Sequence, residues 1–425
     1  MKIGSLLLAA AMFAAIAIAV ANSPANAATK NIEALEPLGD TALRGFVDRT
    51  VSANLEVRAA RAKMKAGARR AEAAAKPLYN PEIEYESKNA EASSRTIELA
   101  MDIDWSGKRK ARSRVGSAES LVDRANYSAT VQGIAVGLLE AMAEHQIWRE
   151  IQRLATTSSD IMSNFRSQAE RRAQIGDINR MELDLAIQAA AQAKLEQASA
   201  AGRQAIGVQN VRAFGVATAV VEWPDLGEHL PQLSIRADQL QQFVQQLPDI
   251  RAQKAMTDAA SAQVAVARKD RRPDPTIAIR GGEDNDESLV GFRFSIPLFV
   301  RNNFDRELAA AIAEDSAAEN TLQNSIRIAE ARLAAALESY NLFAGAWLEW
   351  EQTGVGSIGR QAEVLEVLYA AGEISASEFL VQTRQTVVAR TTAMELRLDL
   401  WRSWLEVLAA SGLANRWLSL SEDPL

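Results

Sequence analysis

Between Pro81 and Pro224, and again between Pro297 and Pro424, the chain contains no proline. A proline in a helix interior removes a hydrogen bond and clashes with the preceding turn, so two very long helical regions are permitted. Within the second region Leu322, Ile326, Ala329, Leu333, Ala336, Tyr340, Phe343 and Trp347 are spaced alternately by four and three. Val387, Thr391, Met394, Leu398, Trp401, Leu405 and Leu408 follow the same rhythm. That is the 3.5-residue period of a coiled-coil seam. The first region carries it in Ile147, Ile151, Leu154, Ile161 and Phe165. A helix from Lys108 to Gln174 would be on the order of 100 Å long at 1.5 Å per residue. No compact single-core domain needs such a helix.

A different period precedes each region. Ile97, Leu99, Met101, Ile103 and Trp105 alternate with polar or small residues, as do Val290, Phe292, Phe294 and Ile296. Period two predicts strands with one apolar face. Shorter partners at Glu82 to Glu86 and Thr276 to Arg280 make each a hairpin, at about 82–105 and 276–299. The two halves repeat: Asn80-Pro81 matches Asp274-Pro275 at an offset of 194, and Gly176-Asp177-Ile178 matches Gly372-Glu373-Ile374 at 196. The expected organisation is a first repeat over 28–213, with a long helical hairpin at about 107–213. A linker with a lateral subdomain follows over 214–247. The second repeat spans 248–411, with its helical hairpin at about 304–411, and 412–425 forms a tail. An opening helix is expected from roughly Thr41 to Lys76.

The N-terminus reads as a targeting element. Lys2 supplies the positive region, Leu6 to Val20 the apolar one, and Ala25-Asn26-Ala27 a small-x-small cleavage pattern, so 1–27 is expected to be a signal peptide. An uncleaved membrane anchor is the alternative. With no Cys, the chain has no disulfide, no thiolate metal site and no acylated N-terminal Cys. Two His and scattered Met supply no site for soft cations, so no metal site and no cofactor is expected. His145, on a helix face with apolar members, reads as a packed structural residue. No Ser/His/Asp set, phosphate loop or metal triad supports an enzyme. A net charge of -7 offers nucleic acid no attractive field.

Four apolar-faced strands cannot close a membrane barrel, whose smallest version has eight, so several copies must pool theirs. A tilted strand of nine to eleven residues crosses a bilayer. Ile97, Leu99, Met101, Ile103, Val290, Phe292, Phe294 and Ile296 would then face lipid, while Glu98, Asp102, Arg293 and Ser295 face water. The acidic stretch Glu283, Asp284, Asp286 and Glu287 reads as a solvated loop or as a divalent bridge to lipid headgroups. The basic cluster Lys108, Arg109, Lys110, Arg112 and Arg114 reads as an anchor for lipid phosphates.

The duplicated unit, Pro77-Leu78-Tyr79-Asn80-Pro81, Arg272-Pro273-Asp274-Pro275 and the Gly-Asp-Ile and Gly-Glu-Ile turns together resemble the TolC-type outer-membrane efflux proteins. Gly291 to Asn303 is similar to the heavy-metal, CzcC-like branch, departing from it at Asn303 and at Phe304, where Gly is common. The resemblance implies a mainly α fold with a small β part: a homotrimer with a shared twelve-stranded β-barrel in the outer membrane and a periplasmic tunnel of antiparallel coiled-coil helices. It further implies a passive duct, probed by a periplasmic membrane-fusion adaptor at the tips, Gly176, Asp177, Gly372 and Glu373. An inner-membrane pump of the resistance-nodulation-division type would feed it heavy-metal cations. A duct for drugs or for a secreted protein, or a coiled-coil adaptor, are the competing readings. Glu182 and Glu378 each lie six residues past their tip Gly, with Asp184 beside the first. They form either a cation-drawing periplasmic gate or ordinary helix-surface carboxylates.

Overall fold

The computed structural model describes residues 38–89, 93–216, 223–227, 229–231, 235–284 and 287–420. The expected signal peptide and Asp286 lie outside them. The opening segment is two helices rather than one, α1 Thr41–Ala53 and α2 Leu55–Ala74. Asn54 divides them: its backbone is extended, and its side chain accepts from the N–H groups of Glu56 and Val57 to start α2. Strands β1 Glu82–Asn89 and β2 Ser93–Asp102 follow, then α3 Lys108–Gln174 and α4 Arg180–Ala213. The linker contributes α5 Leu240–Val244. The second repeat runs through α6 Pro248–Asp270, β3 Thr276–Asp284, β4 Glu287–Ser295 and α7 Asp305–Glu349. A π-helical turn at Trp350–Gly354 joins α7 to α8 Val355–Ala370, and α9 Ala376–Ser411 and α10 Ala414–Leu418 complete the chain.

The core lies where the halves meet. Leu138, Leu139 and Ile147 of α3, Leu333 and Tyr340 of α7, and Leu398, Trp401, Leu405 and Leu408 of α9 are buried together with Leu43 and Val47 of α1. The coiled-coil residues of α7 all take part, Leu322, Ile326, Ala329, Phe343 and Trp347 packing half-buried against it. In the expected tail, residues 412–420 are structured: Trp417 and Leu418 are buried, the Trp417 ring meets Trp404 edge-on at 5.6 Å, and the Trp417 carbonyl accepts from the Leu38 N–H at 2.8 Å. The linker is clasped to α3, where Gln146 accepts from the Leu226 N–H at 2.8 Å and Arg149 pairs with Asp225 at 2.7 Å. His145 packs edge-on to Trp223 at 4.7 Å, and burial, with Arg149 beside it, holds its pKa below the ordinary value. That is the structural role its helix face predicts. None of the helices among the described residues is long and apolar enough to cross a membrane.

The four strands form one antiparallel sheet in the order β1-β2-β3-β4, so each hairpin pairs with the other through β2 and β3. Among the described residues β1 and β4 each pair along one edge only. The register aligns side chains in rows across the sheet: Glu82, Ala100, Ala278 and Arg293 form one, and Glu84, Glu98, Arg280 and Gly291 the next.

Candidate functional site

The sheet has two chemically opposite faces. Ile83, Tyr85, Ile97, Leu99, Met101, Ile279, Phe292 and Phe294 are exposed on one, with Val290 reaching 85%. Ile103 and Ile296, expected on the same lipid-facing band, lie just past the ends of β2 and β4. The opposite face is polar, and there the Glu98 side chain is only 4% exposed. Arg280 of β3 donates to it through Nε at 3.1 Å, and Arg293 of β4 donates to its other oxygen. Sequence alternation gave the faces but not this triad, whose members are 182 and 195 residues apart in the chain.

Where the strands root into the helices, the sequence reading needs two corrections. Lys108 is no lipid anchor: its side chain is buried and pairs with the Asp274 carboxylate at 2.9 Å. The Tyr79 hydroxyl donates to the same carboxylate at 2.6 Å, and burial together with that bond pushes its pKa up. Arg109, Lys110 and Arg114 remain exposed. Asp104 accepts from the Lys108 and Arg109 N–H groups at 2.7 and 2.8 Å, starting α3. Burial alone would raise its pKa, but these backbone bonds outweigh it and hold the carboxyl below its ordinary value. The acidic stretch is also shorter as a loop than expected, because β3 extends to Asp284 and β4 begins at Glu287.

The far ends of the helices are built alike. Gly176 and Gly372 have φ of +79° and +74°, the left-handed conformation that glycine adopts without strain. At each, the glycine N–H bonds back to the third residue before it, Ala173 or Tyr369. The next N–H, of Asp177 or Glu373, reaches Arg172 or Leu368. This double bond pattern closes a helix C-terminus. Three residues after each glycine stands a capping residue, Asn179 or Ser375, whose side chain accepts from the N–H of Glu182 or Glu378. Each glutamate returns the bond, to the Asn179 N–H at 3.1 Å and the Ser375 N–H at 2.9 Å. Both are capping boxes, and the Asn-x-x-Glu and Ser-x-x-Glu spacings were there to be read. The Ser375 bonds hold the Glu378 carboxyl below its ordinary pKa. Asp184 pairs with Arg180 at 3.1 Å, and Asp177 with Arg172 at 2.5 Å. The structure therefore gathers Gly176, Asp177, Glu182 and Asp184 at one tip and Gly372, Glu373 and Glu378 at the other. A second core joins the tips, with Phe165, Tyr369 and Phe379 in mutual ring contact at 4.8 to 5.4 Å. An open groove of about 280 Å³ lies beside it, between Leu185, Gln188 and Gln192 of α4 and Thr383, Arg384 and Val388 of α9.

Among the described residues no group of three or more His, Asp or Glu is placed to hold a metal ion. The arrangement offers no reacting constellation. It offers an apolar band, a polar face behind it, and long helices ending in paired acidic tips.

Residues 239–413 match the family model described as "Outer membrane efflux protein". The cobalt-zinc-cadmium resistance protein CzcC of Cupriavidus metallidurans is 27% identical over 263 residues, 60% of this chain and 62% of the relative, so less than two thirds of that protein is spanned. Among solved structures, CusC is similar with a TM-score of 0.73 at 16% identity, over 88% of this chain and 92% of that one. The CmeC outer membrane channel of Campylobacter jejuni gives 0.75 at 16% identity, over 88% and 86%. The second repeat is thus similar to outer membrane efflux proteins, and the chain as a whole shares the fold of the solved outer-membrane channels.

Proposed function

We propose that the chain is the outer-membrane exit duct of a tripartite efflux system, and that its cargo is heavy-metal cations. The observation that carries the duct is the four-stranded sheet: it has an apolar face exposed to its surroundings, a polar face behind, and two edges unpaired among the described residues. Exposed edges and such a face are unstable in water, whereas closure with further copies inside a bilayer satisfies both. Three copies give a twelve-stranded barrel whose apolar band meets lipid, with the helices continuing the tube into the periplasm. An adaptor grips the tips at Gly176, Asp177, Gly372 and Glu373, and a resistance-nodulation-division pump supplies the cargo. The heavy-metal assignment rests on the similarity to a protein named for cobalt, zinc and cadmium resistance.

Glu182, Asp184 and Glu378 would ring the periplasmic entrance when three copies assemble. The capping bonds of Glu182 and Glu378 give these two a second role, so Gln at both, which keeps one acceptor oxygen, is the right probe. Reduced cation preference in planar bilayers is the expected result, and unchanged selectivity rejects the gate. The duct itself is tested by Phe294→Arg, which places a charge on the lipid face and costs roughly 2–4 kcal/mol near the midplane, whereas Ser295→Arg on the polar face assembles. A monodisperse monomer in detergent-free buffer overturns the reading. Restored cobalt, zinc or cadmium tolerance in a channel-deleted host supports the cargo, and restored tolerance to organic drugs alone rejects it. N-terminal sequencing of the mature chain should begin at Ala28.

A further inference from the structure

We infer that Glu98 sets the ion preference of the barrel lumen by pinning two arginines flat against its wall. The inference rests on the duct reading, which turns the polar face of the sheet inward. Glu98, Arg280 and Arg293 come from three neighbouring strands. In the register Glu98 stands directly opposite Arg280, while Arg293 belongs to the adjoining row and reaches diagonally across it. Two small residues make that reach possible: Gly291 is the partner of Arg280, and Ala278, 1% exposed, is the partner of Arg293. The carboxylate ends up 4% exposed beneath guanidinium side chains that are themselves 38% and 56% exposed. A carboxylate covered to this degree needs its partners to offset desolvation, and here it has one guanidinium on each oxygen.

The consequence for transport follows from geometry. An arginine side chain is long enough to extend several ångströms into a narrow lumen, and three copies of the chain place six of them near one level. Free, they would form a positive constriction that repels cations. Bound to Glu98, they lie along the wall and two charges of each triad are half-neutralised. Other acidic residues of the same face, Glu82, Glu84 and Glu86 on β1 and Asp102 on β2, then dominate the potential that a passing ion meets, Glu86 standing 3.9 Å from Arg280 and pairing more closely with Lys88. Glu98 is thus a positioning residue, acting on permeation through the arginines it holds.

Reversal potentials and single-channel conductance of the purified trimer in planar bilayers, under a potassium chloride gradient, provide the test. Glu98→Gln should lower the cation-to-anion permeability ratio at least twofold and reduce conductance, because the arginines are released. Arg280→Gln with Arg293→Gln should raise the ratio above the parent, because Glu98 is left free, and the triple variant should return to near the parent. The opposite signs separate this from a loss of structure. Should Glu98→Gln fail to assemble, the double arginine variant alone decides. A conducting parent with unchanged ratios in the variants overturns this inference and leaves the duct standing, whereas a parent that forms no conducting pore overturns both.

Discussion

The two repeats end in the same tip but reach it differently. In the first, α3 runs unbroken for 67 residues and buries Ile147, Ile151, Ala155, Met162, Phe165 and Ala169 on the way. In the second, α7 buries nothing beyond Tyr340, and among the described side chains burial resumes only at Leu365 of α8. The π-helical turn falls in that interval, past the half-buried Phe343 and Trp347, with Gly354 so close under the Trp350 ring that a Cβ would lie 2.4 Å from it. A continuous seam holds one helical register over its whole length, and where it lapses an extra residue can be accommodated. The lesson is that length alone does not make these helices rigid: regularly spaced buried contacts do.

The comparison breaks most visibly by deletion. Removing Thr157 from α3 rotates everything beyond it by about 100°. It should cost about 3–5 kcal/mol, the scale for losing a buried Phe, because Phe165 leaves the tip core. Removing Thr353 should be tolerated, the π turn relaxing to ordinary α geometry. Thermal unfolding of the detergent-solubilised protein, with helix content from circular dichroism, compares the two. Equal losses would mean that the second helix depends on its register as strictly as the first.

The tip glycines should respond alike. Val at either Gly176 or Gly372 forces a β-branched residue to positive φ, costing about 1–3 kcal/mol each by the same thermal measurement. A large difference between them would show that the shared hydrogen-bond pattern conceals unequal support.

A third test swaps the residues that start α3 and α7. Both are left-handed, Gly107 at φ +75° and Phe304 at +58°. Phe304 is held there by the Asn302 side chain, which accepts its N–H at 3.0 Å, and by an edge contact to the Phe299 ring at 5.0 Å. Gly107→Phe should therefore destabilise by about 1–2 kcal/mol. Phe304→Gly should be close to neutral, relief of strain being offset by the lost ring pair, worth about 0.5–1.5 kcal/mol.

The smallest effect separates the caps. Ser375 holds the Glu378 carboxyl below its unfolded value, so this cap contributes fully above about pH 4.3 and is lost as pH falls through the lower, folded value. Amide-exchange protection at 376–379 should fall on acidification; Glu378→Gln should abolish that dependence, and Ser375→Ala, which keeps the backbone N–H bond to the carboxylate, should only weaken it. Protection that is flat with pH in the parent rejects the role of this carboxylate.

Much of this was legible because periodicity is local. The seam in Leu322 to Trp347, the alternating strands and the duplicated turns needed only neighbouring residues to be recognised. What escaped depended on distant pairs or on a missing regularity. Lys108 looked like one more surface cation because Asp274, which buries it, lies on the other repeat. Glu98 looked like any lumen-facing acid because its arginines arrive from β3 and β4. Asn54 was hidden inside an otherwise helical pattern, where its capping of α2 is visible only once α1 is seen to end. The π turn carries only the short run Glu351-Gln352-Thr353-Gly354, with no Pro, and such a run also fits an exposed stretch of ordinary helix.

The contact between Trp417 and the start of the chain has a temporal meaning. Leu43 and Val47 of α1 share a core with Trp404, Leu408 and Trp417, so the earliest described helix is sealed by residues that are synthesised much later. A chain emerging N-terminus first cannot lock its central body until residue 417 is available, and contacts this remote in sequence form slowly. Until then its long helices remain separable segments. On the duct reading proposed above, which has the chain threaded through one membrane and assembled in another, being unable to finish folding early is an advantage.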